Sequence, residues 1–143
     1  MARRARRLNP EPLQALAEAL EENAEAREQL DRAFDAVMPE SALTEQRHFA
    51  AQHNAREDRK LAEDLRRAAS SGQLLTAGFA SGLSSIAEAA MEDHSTLSAL
   101  LEAGYVPIQE GETRVGGEDL KLALERSVAA AYAIVENIAR LLF

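Results

Sequence analysis

The sequence predicts an all-α fold, an antiparallel four-helix bundle of long helices. Three observations point to it. Apolar residues make up 46% of the chain but aromatic ones only 4%, so the core must be built from Leu, Ala, Val and Ile, and an alanine-rich interior suits closely spaced helices. All four prolines (Pro10, Pro12, Pro39, Pro107) and five of the seven glycines (Gly72, Gly104, Gly111, Gly116, Gly117) fall between periodic segments. Inside those segments apolar residues recur at spacings of three and four. A length of 143 residues fits one domain with a real core. We place that domain at residues 9–143, behind a basic N-terminal arm of residues 1–8.

The first helix is expected from Asn9 to about Met38. Asn is a favoured N-cap, Pro10 gives up an amide proton that had no partner, and Glu11 suits the positive end of the helix dipole. Leu13, Leu16, Leu20, Leu30, Phe34 and Val37 form its inward seam, broken at Asn23 and Arg27. Its outer face is acidic, with eight carboxylates between residues 11 and 38.

A second helix is expected from Ser41 or Thr44 to about Ser70, capped by Gly72. From Thr44 to Lys60 only Phe49 and some alanines can pack; Leu61, Leu65, Ala68 and Ala69 restore a stripe. Arg56, Arg59, Lys60, Arg66 and Arg67 make this the basic helix, which suits an antiparallel pairing with the acidic first helix. Each exposed pair adds only ~0.2–1 kcal/mol.

The third helix is expected from near Gln73 to Gly104, read as one helix through Glu92-Asp93-His94 on the seam Leu83, Ile86, Ala90, Leu97, Leu101, with Asp93 or Ser95 as the cap of a second helix in the alternative. It holds the two glycines that interrupt a periodic segment, Gly78 and Gly82. A glycine inside a helix costs ~1 kcal/mol relative to alanine. Residues four apart share a face, so the pair makes a flat strip, flanked by Ala77, Ser81 and Ser85. We expect the strip to be a helix-packing surface, within the bundle or at an interface. The longer connection, 105–117, reads as a small β-hairpin turning near Gly111, with Pro107 confining it to an edge. The fourth helix is expected from about Glu118 onward, on the seam Leu124, Val128, Ala131, Val135, Ile138, Leu142. Tyr132, Ile134, Leu141 and Phe143 fall partly off that seam and predict self-association.

The formal net charge is −8, and Arg3, Arg4, Arg6 and Arg7 are four of the 16 basic residues against 24 acidic ones. A basic arm on an acidic body is the main charge asymmetry, and the body repels nucleic acid and anionic membrane. With no cysteine, disulfide and thiol chemistry are excluded. No apolar stretch follows the arginines, so no secretory signal is expected, and a cytoplasmic location follows. The uncharged run 68–87 is too rich in serine for a membrane span.

Motifs for chemistry are sparse. Glu45 and His48 have the Glu-x-x-His spacing that puts a carboxylate and an imidazole on one helix face, the pair that metal-binding bundles use twice; no second copy exists. No nucleophile elbow, triad or phosphate-cradling loop is present. We therefore expect no cofactor and a non-enzymatic helical interaction protein: an assembly component, adaptor or chaperone. It would act as a homo-oligomer or on a helical protein partner. The alternatives are a nucleic-acid-associated protein using the arginine arm, and a carboxylate-His metal-binding bundle.

Overall fold

The computed structural model describes residues 7–37, 42–72, 74–103, 105–109, 112–115 and 118–143. They form α1 (Pro10–Val37), α2 (Ala42–Ser71), α3 (Ala77–Ala103), β1 (Tyr105–Gln109), β2 (Glu112–Val115) and α4 (Glu118–Leu142). The predicted all-α bundle is the observed architecture, with α1 packed on α2 and α4, and α3 packed on α4. The 105–117 connection carries an antiparallel two-stranded ribbon in which Tyr105 pairs with Val115 and Pro107 with Thr113. Proline has no N–H for the ladder, and the register shifts between Pro107 and Gln109.

The ends of the helices follow local chemistry. Asn9 Oδ1 accepts the Glu11 N–H at 3.1 Å, which caps α1 as expected. Gly72 ends α2 with φ +65°, a left-handed conformation open to glycine at little cost. The start of α3 differs from expectation. It begins at Ala77 because Thr76 caps it: the Thr76 hydroxyl accepts the Phe79 N–H at 3.1 Å and its carbonyl accepts the Ala80 N–H at 2.9 Å. Ahead of the cap, Leu74 forms an isolated antiparallel bridge with Arg7. From there α3 runs through Glu92-Asp93-His94 as a single helix.

Two apolar clusters fill the bundle. The first gathers Leu8, Leu13, Leu16 and Leu20 with Ala62 and Leu65 of α2, Leu83 and Ala90 of α3, and Ile134, Ile138 and Leu141 of α4. The second gathers Leu30, Ala33, Leu97, Leu120, Ala123 and Leu124. Among the described residues α2 gives nothing to the second cluster, in keeping with a first half that from Thr44 to Lys60 has alanines and Phe49 but no leucine. Leu8, grouped with the arm in the sequence, is buried, so the folded body starts ahead of the Asn9 cap. Burying a leucine is worth ~1.5–3 kcal/mol.

Two expectations about packing are corrected. Gly78 and Gly82 are exposed, and a Cβ built on either meets nothing within 4 Å. Ala77, Ser81 and Ser85 are exposed as well. The strip is therefore not a close contact within the bundle. Close approach instead falls to buried alanines such as Ala17 and Ala24 of α1 and Ala123, Ala130 and Ala131 of α4. On α4 the buried arc is turned from the predicted seam: Ile134 and Leu141 are buried, while Val128, Val135 and Leu142 are half-buried. The helix is wedged between α1 and α3, so a single 3-4 seam is too narrow to describe what it buries.

Two stability changes follow. Gly82→Ala should raise stability by ~0.5–1 kcal/mol in a denaturant titration, because open space receives the methyl and helix propensity improves; a loss would show that the strip is packed. Leu8→Ala should lower stability by ~2–4 kcal/mol in the same titration, the cost of emptying a core site; an unchanged midpoint would put Leu8 outside the core.

Candidate functional site

Glu45 and His48, the candidate metal pair of the alternative reading, do not come together. Glu45 is exposed, while His48 turns to α1: its Nδ1 meets Asp31 and its Nε2 lies 3.4 Å from Asp35. Arg47 fills the same site, its Nε donating to Asp31 at 2.8 Å and its guanidinium pairing also with Asp35. The Arg47 guanidinium lies 5.8 Å from the Phe34 ring centroid. Between the carboxylates stands an arginine, a cation already, and among the described residues no group of three His, Asp or Glu side chains is placed to hold a metal ion. Burial pushes the Asp31 carboxyl up, but hydrogen bonds and charge from His48 and Arg47 outweigh this and hold it below the ordinary aspartate range. Beside the cluster a pocket of about 160 Å³ lies between Leu30 and Phe34 of α1 and Ala50, Ala51 and Asn54 of α2.

Further ion pairs stitch α1 to α2, Glu28 with Arg59 and Glu21 with Arg66. Partners descend along α1 as they ascend along α2, which is the antiparallel match the opposite charges predict. The seam breaks on α1 are partnered too. Asn23 Nδ2 donates to Asp58 Oδ2 at 2.8 Å, and Arg27 pairs with Asp93 of α3. These groups form a polar layer between the two apolar clusters. Burial raises the Asp58 carboxyl above the ordinary value, and the Asn23 hydrogen bond and the Arg27 charge offset only part of this.

The remaining predicted residues lie on surfaces. Arg3, Arg4 and Arg6 fall outside the described residues, and Arg7 is exposed. Tyr132 is 60% exposed and Phe143 96%. They belong to an outward stripe on α4, Leu122, Glu125, Ala129, Tyr132, Glu136, Ala139 and Phe143, every member exposed. The Tyr132 ring sits 6.3 Å from the ring of His94 on α3. One helical turn before His94 is Met91, 59% exposed, so α3 extends the apolar stripe sideways. Sequence reasoning missed Leu122 and Met91, although the 3-4 spacing of the outward stripe was there to find beside the inward one. It also missed Asp31, Asp35 and Arg47; two aspartates four apart facing an Arg-His pair was their only signal.

The exposed surface of α3 and α4 is acidic. Glu88, Glu92 and Glu102 of α3 and Glu118, Asp119, Glu125 and Glu136 of α4 are exposed. α3 contains no lysine or arginine. On α4 the arginines turn to α1: Arg126 Nε donates to Glu22 at 2.7 Å and Arg140 lies 3.6 Å from Glu11.

Comparison with known protein families, characterised proteins and solved structures finds no match for this chain.

The Asp58 shift fixes a sign. The folded state binds the Asp58 proton more tightly than the unfolded chain, so folding stability drains away as pH rises from the unfolded value through the higher folded one. Asp58→Asn should remove that loss. Melting curves between about pH 4 and pH 7 should show the variant falling less steeply with rising pH than the parent; parallel curves would contradict the raised value.

Proposed function

We propose that this chain is a non-enzymatic helical interaction protein, an adaptor, assembly component or chaperone, and that its α3–α4 face is the working surface. The observation that carries the reading is the apolar stripe of Leu122, Tyr132, Phe143 and neighbouring Met91, each between 48% and 96% exposed. Scattered exposed hydrophobics are normal, but large apolar side chains recurring along one outward line of a helix, with Met91 on the neighbouring helix, support a contact surface. The titratable groups that do converge, Asp31, Asp35, Arg47 and His48, satisfy one another across α1 and α2, which supports a structural use for them. The self-association expected from the sequence rested on four α4 residues, of which Ile134 and Leu141 are buried; the surface left to a second copy is correspondingly smaller. Among the described residues no helix is long and apolar enough to cross a membrane.

The test is a photo-crosslinking residue at position 132, expressed in the native host. A discrete adduct at 132 that is absent with the same residue at the exposed Gln46 of α2 is the expected result. Adducts of equal yield at both positions, or at neither, would remove the reading. An adduct at twice the 15.6 kDa chain mass would identify the partner as a second copy.

A further inference from the structure

We infer that the partner of the α3–α4 face is a cationic amphipathic helix of about 20 residues, one apolar stripe flanked by Lys and Arg. This rests on the reading above and adds what the partner must be. The shape argument comes from α4. Its outward positions 122, 125, 129, 132, 136, 139 and 143 alternate spacings of three and four, the pattern that receives the ridge of another helix. From Leu122 to Phe143 the stripe extends ~32 Å at 1.5 Å per residue, the length of the helix it would cover. Met91 and His94 of α3 widen the floor beside Tyr132.

Charge selects among occupants. Glu125 and Glu136 interrupt the stripe itself, and Glu88, Glu92, Glu102, Glu118 and Asp119 are exposed on the same two helices. Among the described residues of α3 and α4, none of these seven has an ion-pair partner, and Lys121 is the single basic side chain not engaged with α1. A second copy would bring the same carboxylates to a two-fold interface, like charge against like. A polyanion would be repelled from this face outright. A helix with Lys and Arg beside its apolar stripe meets both features at once: its leucines or aromatics cover Tyr132 and Met91, and its cations neutralise these carboxylates. The α1–α2 side offers no equivalent, because there the acidic helix is already neutralised by Arg47, Arg59 and Arg66.

Three synthetic peptides of about 20 residues decide the matter by fluorescence anisotropy with the full chain. One is a Leu/Lys heptad helix, one carries the same leucines with Glu for Lys, and one is a scramble of the first. The Leu/Lys helix should bind about tenfold or more tighter than either control, and its affinity should fall between about 50 and 300 mM salt. A Met91→Ser/Tyr132→Ser variant changes exposed positions only, so it should keep its helical circular dichroism and melting point while losing about tenfold in affinity. Phe49→Ser on α2, an exposed position on the opposite pair of helices, should change nothing. Equal binding of the scramble, or unchanged binding to the double variant, would reduce the effect to non-specific charge and overturn the inference. So would absence of binding. A dimer in light scattering that Tyr132→Ser dissolves would make a second copy the occupant; the cationic partner would then be wrong while the interaction reading stood.

Discussion

Arg27 occupies a core-facing position on α1, and its charge has to be met inside the bundle. Asp93 of α3 meets it, with Asp58 of α2 close enough to feel the field. Asn23 ties Asp58 to α1 one turn away. This polar layer separates the two apolar clusters and ties the packed α1–α2 pair to α3, which has little direct backbone contact with either. Its net stabilisation is small, because the Arg27 and Asp93 side chains keep 24% and 48% exposure and desolvation offsets much of the attraction. Its value is in register. Leu83, Ala90 and Leu97 repeat every seven residues on α3, so sliding α3 by a heptad would preserve much of the apolar match. Moving Asp93 away from Arg27 would leave a guanidinium stranded, and that cost selects one alignment.

The layer also explains how charge is divided over the molecule. α1 is acidic along its outer edges and has neighbours on two sides. Arginines of α2 answer it on one side, and Arg126 and Arg140 of α4 answer it on the other. Having spent its arginines on α1, α4 turns a face to solvent that holds carboxylates and apolar side chains together. α3 brings no basic residue to correct the imbalance. Among the described residues, the carboxylates left without an ion-pair partner on α3 and α4 thus share those two helices with the apolar stripe.

Much of this was legible in the sequence, for reasons that differ by element. Helix ends were readable because caps are local: Asn9-Pro10 and Gly72 act through their own backbone. The α1–α2 pairing was readable because an acidic and a basic helix attract, and the four-residue connection between them makes neighbours antiparallel. The start of α3 was not, since Thr76 looked like one polar residue among many and Leu74 is held by a distant partner, Arg7. The glycines of α3 misled for a physical reason. A small residue permits close approach without causing it, and in this bundle the alanines of α1 and α4 achieve it instead. The breaks at Asn23 and Arg27 were visible as departures from a seam, but their partners Asp58 and Asp93 could be assigned only in three dimensions. The functional face was half legible: Tyr132 and Phe143 stood out, whereas Ile134 and Leu141 beside them proved to be core.

α2 combines two kinds of attachment along a single rod. Its second half sinks Ala62, Leu65 and Ala68 into the first apolar cluster. Its first half rests on Arg47 and His48 against Asp31 and Asp35, over a pocket rather than a packed floor. Local opening free energies track buried apolar contact more than hydrogen bonds of the helix itself. Amides from Thr44 to Asn54 would therefore exchange with solvent deuterium through excursions that leave the rest of the bundle closed, while those around Leu65 would wait for global unfolding. The helix is continuous in shape but graded in protection, and the grading is set by where its leucines stop.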